Sequence, residues 1–296
     1  MLTKYRIKGH ESFILRDGWL TKGLRAAAND NLVFTKNAGA DVLGVGTNMA
    51  KSIRYWLRAS RLTDEQGAKT GVTLSMLGNI ILDYDPYFED PFSLWLVHVN
   101  IVRNAQLATS WNVFFNDIDV NSFKRDELTV LMTDALVDCT GETNLSERSI
   151  RDDCAAILQM YSPGDKLRFD DPEDKKVSPF SSLGLLDVTS RGNYERLRPA
   201  ADAIDPLLIY YMIAESLIAD GSISIESLLI DRDMPGKVLN LNRVILNDYL
   251  DALQDLGHII INRTAGLDII YANSRVSPET VIREHYEART GCYAAF

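Results

Sequence analysis

Four polar or basic residues, Thr47, Lys51, Arg54 and Arg58, are spaced by four, three and four positions. This spacing places them on one face of a helix. Arginine can bind a guanine edge in the DNA major groove through two hydrogen bonds, whereas lysine and hydroxyl groups suit phosphates. The pattern therefore predicts a DNA-contacting face, with Asn48 beside it. A solvated surface helix carries the same kind of stripe, so that alternative stays open.

Two further basic residues, Arg16 and Lys22, lie upstream among glycines in residues 16–23. They can extend a phosphate-binding surface, because cations spaced along one end of a domain attract an anionic polymer. Trp19 lies between them and is expected to be a core residue. The predicted DNA-binding set is therefore Arg16, Lys22, Thr47, Asn48, Lys51, Arg54 and Arg58.

Carboxylates cluster in a proline-punctuated segment, as Asp83, Asp85, Glu89 and Asp90. Hard oxygen ligands of this kind bind Mg²⁺ or Mn²⁺, so Asp83, Asp85 and Glu89 are candidate metal ligands, and Asp85, Glu89 and Asp90 are candidate catalytic groups. Acidic residues next to proline are equally typical of turns and helix caps.

A second candidate catalytic pair is Glu173 and Lys175, which have the E-x-K spacing seen in many nucleases. In such enzymes the lysine activates water beside the metal. Here the pair lies in a charged loop rather than on a strand. No P-loop, G-x-G-x-x-G, G-x-S-x-G or H-E-x-x-H motif occurs in the sequence, so no nucleotide, flavin or zinc site is predicted.

The elements that would position these residues follow a recurrent order. Residues 1–84 contain helix signals, a glycine turn, a helix at residues 47–60 with Thr47 as its N-cap, and a short β segment. This is the order of a basic winged helix-turn-helix. Residues 85–200 predict a helical middle domain, and residues 201–296 predict an acidic winged-helix-like domain that ends in a hairpin. The fold class is thus mainly α, with small β wings and a winged helix-turn-helix module at each end.

Charge is distributed unevenly along the 296 residues. Residues 1–82 contain twelve Lys and Arg residues against six Asp and Glu, a balance of +6; because the whole chain carries −10, the remainder carries −16. Only the N-terminal third is therefore expected to meet nucleic acid. The helix predicted at residues 242–256 is largely anionic, which favours protein docking; only Arg243 and the hairpin containing Arg263 remain candidate DNA contacts there.

The remaining composition is that of a globular protein, with 46% hydrophobic residues. No apolar run approaches the length of a membrane span, and the N-terminus lacks a secretory pattern, so a cytoplasmic protein is expected. Three widely spaced cysteines predict neither a disulfide framework nor a zinc cluster.

Several motifs resemble a bacterial domain-of-unknown-function family, the SspB-like family. They are RDGWLTKG at residues 16–23, LGVGTNM at 43–49 with SIRYW at 52–56, DPYFEDP at 85–91 with LWL at 94–96, and PF at 179–180 with LGLL at 183–186. The family occurs in defence gene clusters that exchange a non-bridging phosphate oxygen of DNA for sulfur. The resemblance implies a DNA-nicking endonuclease that works beside a cysteine desulfurase, an ATPase and an ATP-pyrophosphatase-type enzyme.

The combined prediction is a protein that binds double-stranded DNA and nicks one strand during phosphorothioate modification, with Mg²⁺ or Mn²⁺ as the expected metal. Two alternatives lack this chemistry. One is a DNA-binding adaptor that recruits the modification enzymes, and the other is a transcriptional regulator of the gene cluster.

Overall fold

The computed structural model describes residues 2–65, 71–163, 177–200, 202–264 and 267–293. The chain is mainly helical, with small antiparallel sheets, as the sequence predicted. It divides into two compact units, Met1–Leu197 and Arg198–Phe296.

Helices dominate the first unit. In chain order, α1 to α8 are Trp19–Asn29, Ala40–Leu43, Thr47–Ala59, Met76–Tyr84, Pro91–Val102, Thr109–Asn116, Arg125–Thr140 and Glu147–Tyr161. A short 3₁₀ helix, Asn37–Gly39, precedes α2, and a second, Pro179–Leu183, follows α8.

The strands of the first unit form two small sheets. Their bounds are Thr63–Glu65 (β1), Val72–Leu74 (β2), Ser122–Phe123 (β3), Leu186–Val188 (β4) and Tyr194–Arg196 (β5). Strands β1 and β2 form an antiparallel hairpin directly after α3, with Glu65 opposite Val72. The other sheet has the order β3-β5-β4.

The core of the first unit contains several large aromatic side chains among aliphatic ones. Trp56, Trp95, Trp111 and Tyr161 are fully buried, and the rings of Trp56 and Trp111 meet edge to face at 5.2 Å. Trp19 is also buried, as predicted. Ile150, Cys154, Ile157 and Tyr161 lie on the buried face of α8.

Helix α1 packs closely against α3 because residue 23 is glycine. A Cβ at Gly23 would lie 2.7 Å from Cδ1 of Leu57 and 2.8 Å from Cγ2 of Ile53, which is closer than non-bonded carbon atoms approach in a packed core. Helix α3, which bears the predicted DNA-contacting residues, is therefore tightly packed against α1.

The second unit combines five helices with one sheet in its described residues. Helices α9 to α13 are Pro206–Asp220, Ile225–Ile230, Pro235–Val238, Arg243–Asp255 and Pro278–Tyr293. Strands β6 to β8 are Ser222–Ser224, Ile259–Thr264 and Leu267–Ala272, in the antiparallel order β6-β8-β7. The predicted hairpin that contains Arg263 is formed by β7 and β8.

Some local predictions differ from the structure. Gly46, not Thr47, is the N-cap of α3, because Thr47 already has helical backbone geometry and its hydroxyl donates to Asn37 instead. Strand β4 begins only at Leu186, because the 3₁₀ helix extends to Leu183 and Gly184 is its C-cap.

The domain boundary at residues 84 and 85 stays a prediction. Both sides of it lie within the first compact unit. Buried hydrogen bonds cross it, including one of 2.9 Å between His10 Nε2 and Asp153 Oδ1.

No helix among the described residues has both the length and the hydropathy that a bilayer crossing requires.

Candidate nucleic-acid interface

Helix α3 is anchored by its inner face. Ile53, Trp56 and Leu57 are fully buried. The Phe13 carbonyl accepts two hydrogen bonds from the same helix, from Ser52 Oγ and from Trp56 Nε1, each at 3.2 Å. The opposite face, which carries Lys51, Arg54 and Arg58, is thereby held toward the surface.

The first turn of α3 presents polar groups to solvent. Thr47, Asn48 and Lys51 are all exposed. The Thr47 hydroxyl donates to Asn37 Oδ1 at 3.1 Å, and Lys51 Nζ donates to Asn48 Oδ1 at 3.3 Å. These surface contacts are weak enough to exchange for a phosphate oxygen.

The two arginines of α3 share one carboxylate, that of Glu65 on β1. Arg54 Nε donates to Oε1 at 2.7 Å, and Arg58 Nε lies 3.2 Å from Oε2. The Arg54 guanidinium also lies 5.9 Å from the centre of the Phe34 ring. Sequence reasoning missed Glu65, although the short strand that follows the helix was the available signal.

Arg16 and Lys22 occupy different environments. The Arg16 guanidinium lies over the rings of Phe13 and Trp19, at 5.7 and 5.3 Å. Its Nε is buried and has no hydrogen-bond partner among the described residues. Lys22 is exposed on α1. Arg16 is thus held by aromatic rings, whereas Lys22 is open to an anionic ligand.

The predicted carboxylate cluster is built around a loop. Asp85 is buried, and its oxygens accept hydrogen bonds from the backbone N–H groups of Glu89 and Asp90, at 2.9 and 3.1 Å, and from the Ser93 hydroxyl. Asp90 caps α5 by accepting from Phe92 N at 2.9 Å. These two residues therefore perform the turn and capping roles that the sequence left open.

The three candidate metal ligands, Asp83, Asp85 and Glu89, differ in their surroundings. Asp83 and Glu89 are exposed, whereas Asp85 is turned onto its own loop. Across the described ranges, no three His, Cys, Asp or Glu side chains are grouped as a metal would need. Glu173 and Lys175 lie outside the described residues.

A buried polar cluster joins three separate segments of the first unit. Asp153 accepts from His10 Nε2 at 2.9 Å, from Ser110 Oγ at 2.5 Å and from the Lys8 backbone N–H at 3.0 Å. The aspartate lies between the histidine and the serine, so the histidine does not contact the hydroxyl as a general base would. This order supports a structural role.

Neighbouring side chains are also unsuited to nucleophilic chemistry. Burial, reinforced by the charge of Asp153, raises the pKa of the Cys154 thiol to about 12. The same two causes raise the pKa of the Tyr55 hydroxyl, which donates to the Leu107 carbonyl at 3.0 Å. Both groups are therefore protonated at neutral pH.

The two candidate DNA contacts of the second unit are neutralised by acids. Arg243 pairs with Glu226 and lies 3.5 Å from Asp268, and Arg263 pairs with Asp251 at 2.7 Å. Asp248 and Asp255 of α12 are exposed. This surface is thus less suited to phosphates than α3 is.

The chain is similar to a known protein family and to solved crystal structures. A family model described as "Protein of unknown function (DUF4007)" matches residues 7–286. A crystal structure of SspB has a TM-score of 0.83 and 25% sequence identity, and the match covers 97% of this chain and 88% of SspB. A magnesium ion-bound SspB crystal structure gives the same TM-score and coverage at 24% identity. No curated protein matches this chain.

Proposed function

We propose a function for this chain, which belongs to the DUF4007 family. It is the DNA-binding component of a bacterial DNA phosphorothioation system, and it nicks one strand of duplex DNA. Its SspB-like fold supports the assignment to such a system. The observation that carries DNA binding is the outer face of α3. There Lys51 is exposed, Arg54 and Arg58 are half-buried, and the helix behind them is anchored in the core.

We further propose that each end of the chain is a winged-helix module. At the N-terminus, helices α1 to α3 are followed by the β1–β2 hairpin. In the second unit, a helix, a short strand, further helices and the β7–β8 hairpin follow one another. These orders support a winged helix at each end, and we assign to α3, not to the acidic α12, the role of the recognition helix that enters the major groove.

The second unit is proposed as a docking module for proteins of the same cluster, namely the cysteine desulfurase, the ATPase and the ATP-pyrophosphatase-type enzyme. The charges on the surface of this unit support the docking proposal. The arginines of α12 and β7 are paired with acids, and further acids of α12 remain exposed. Such a surface repels DNA and suits a basic protein surface.

A non-enzymatic adaptor is the second candidate function. It is favoured by the roles of Asp85 and Asp90, whose carboxylates serve a loop and a helix cap rather than an open site. A regulator of the cluster is distinguished from both by an operator in the cluster's own promoter, which footprinting detects.

DNA binding is tested by fluorescence anisotropy with a labelled duplex at 150 mM salt. The variant K51A/R54A/R58A should lose at least tenfold in affinity, because three cations near phosphates each release counterions on binding. The charge-matched control R148A/R191A/R198A removes three exposed arginines elsewhere in the first and second units. Equal affinity of both variants would refute the α3 interface.

Nicking is tested on supercoiled plasmid with Mg²⁺ or Mn²⁺, and with EDTA as the control. Metal-dependent open-circle product supports the nickase. If the protein binds DNA tightly but does not nick it, even after the three partner enzymes are added, the nickase proposal is refuted and the adaptor function is supported.

A further inference from the structure

Glu65 is a carboxylate placed between two arginines that are proposed to face DNA. One oxygen contacts Arg54 Nε at 2.7 Å and the other lies 3.2 Å from Arg58 Nε. The Glu65 side chain is 12% exposed, whereas the two arginine side chains are 32% and 31% exposed. The acid is therefore the inner partner, and the guanidiniums lie between it and solvent.

A hydrogen bond to Glu65 orients the Arg54 guanidinium, and an ion pair with the same carboxylate holds the Arg58 guanidinium beside it. The group is planar, and a hydrogen bond at Nε leaves the edge formed by the two Nη atoms for another ligand. Among the described residues, neither arginine makes a further hydrogen bond through that edge. Two parallel N–H donors match the O6 and N7 acceptors of guanine in the major groove.

The same contact weakens the arginines as phosphate ligands. One negative charge offsets part of the two positive charges, so the long-range attraction for the DNA backbone falls. The oriented donors, in contrast, are retained, and their rotamer freedom is already lost before DNA binds. The balance shifts from backbone contact toward base recognition.

We propose that Glu65 is a positioning residue that orients Arg54 and Arg58 to recognise guanine in duplex DNA. This inference rests on the proposed DNA-binding function and deepens it, because it assigns base recognition to one face of α3 and names the residue that enforces it.

The test is sequence selectivity rather than total affinity. A preferred duplex is selected from a randomised library with the wild-type protein. Its dissociation constant is then compared with that of a duplex in which the selected guanines are replaced by adenines. For E65Q, the ratio of the two constants should fall about tenfold, as expected when an oriented guanine contact is lost. Affinity for the adenine duplex should stay equal or rise.

Asp64 provides a matched control. It precedes Glu65 on β1, is exposed, and lies on the opposite face of the strand. The variant D64N makes the same change in net charge and should keep the wild-type selectivity. E65D keeps the charge but is shorter by one methylene, so it should lose selectivity without a gain in affinity for the adenine duplex.

Three results would overturn the inference. Equal selectivity of E65Q and D64N would refute it and leave the DNA-binding proposal intact. The inference would also be refuted, with DNA binding intact, if the wild-type protein bound all duplexes with the same affinity. A wild-type protein that binds no DNA would remove the proposed function, and the inference with it. Thermal melting of each variant checks that the fold is retained.

Discussion

Asp153 is a buried acid of the first unit that holds distant segments of the chain together. Its carboxylate accepts hydrogen bonds from Lys8, His10 and Ser110, which belong to the N-terminal segment and to α6. We expect D153A to lower the free energy of unfolding by about 3–5 kcal/mol, because it leaves several buried donors without an acceptor. Urea unfolding followed by tryptophan fluorescence measures this loss.

The adjacent Asp152 is the natural control for Asp153. It forms an ion pair with Lys8 Nζ at 2.6 Å, and both side chains are about one-third exposed. Surface pairs of this kind contribute about 0–1 kcal/mol, so D152A should be nearly neutral. If the two variants were equally stable, the buried cluster would not be a structural anchor.

Asp205 predicts a pH dependence of stability in the second unit. Burial alone would raise its pKa, but hydrogen bonds from His285 and from the Leu207 backbone N–H outweigh it, so the pKa is lowered. Because the folded-state pKa lies below that of the unfolded chain, about 3.9, the stabilisation is present above that pH. It is lost as the pH falls through the folded-state pKa.

The variant D205N should therefore be less stable than the wild type at pH 7, and the difference should shrink as the pH falls below about 4. Unfolding in urea at pH 7, 5, 4 and 3 measures it. E215Q changes an exposed acid of the same helix and serves as the control. A difference that does not vary with pH would contradict the role of the Asp205 charge.

Ser75 and Thr47 both carry a hydroxyl group at the start of a helix, but only Ser75 caps its helix. Ser75 caps α4 by accepting from Gly78 N at 3.0 Å, whereas Thr47 lies inside α3 and donates to Asn37. We expect S75A to cost about 1 kcal/mol and T47A less than about 0.5 kcal/mol. G46S should stabilise α3 by a few tenths of a kcal/mol, since serine adds a capping oxygen at the extended N-cap. Melting temperatures rank the three variants, and a larger loss in T47A than in S75A would contradict this assignment of caps.

The same comparison shows what the sequence could and could not predict. The spacing of residues along the sequence predicted α3 and α12, because each of these helices buries its apolar residues on one side. The basic face of α3 was predicted for the same reason. The contact of Glu65 with Arg54 and Arg58 was not predicted, because it depends on the position of the three-residue strand β1 relative to α3. The role of Asp153 depends on contacts with residues more than forty positions away, which local patterns do not encode.

The uneven charge of the chain becomes meaningful once the fold is known. The basic residues of α3 lie in the first unit, whereas the second unit contains fourteen acidic and eight basic residues, a balance of −6. Charges separated by more than a Debye length of about 8–10 Å are largely screened at physiological salt. The overall charge of −10 is therefore a poor guide to DNA binding, and the local charge around α3 is the better one.

Salt titration separates local from overall charge. If α3 holds the DNA, K51A should reduce the slope of log affinity against log salt by about 1, because one phosphate contact is lost. The variant D248N/D255N raises the net charge by two through exposed acids of α12 and should leave the slope unchanged. Anisotropy titrations between 50 and 300 mM salt measure both slopes. A steeper slope in D248N/D255N together with an unchanged slope in K51A would mean that DNA meets the second unit, and the interface assigned to α3 would have to be abandoned.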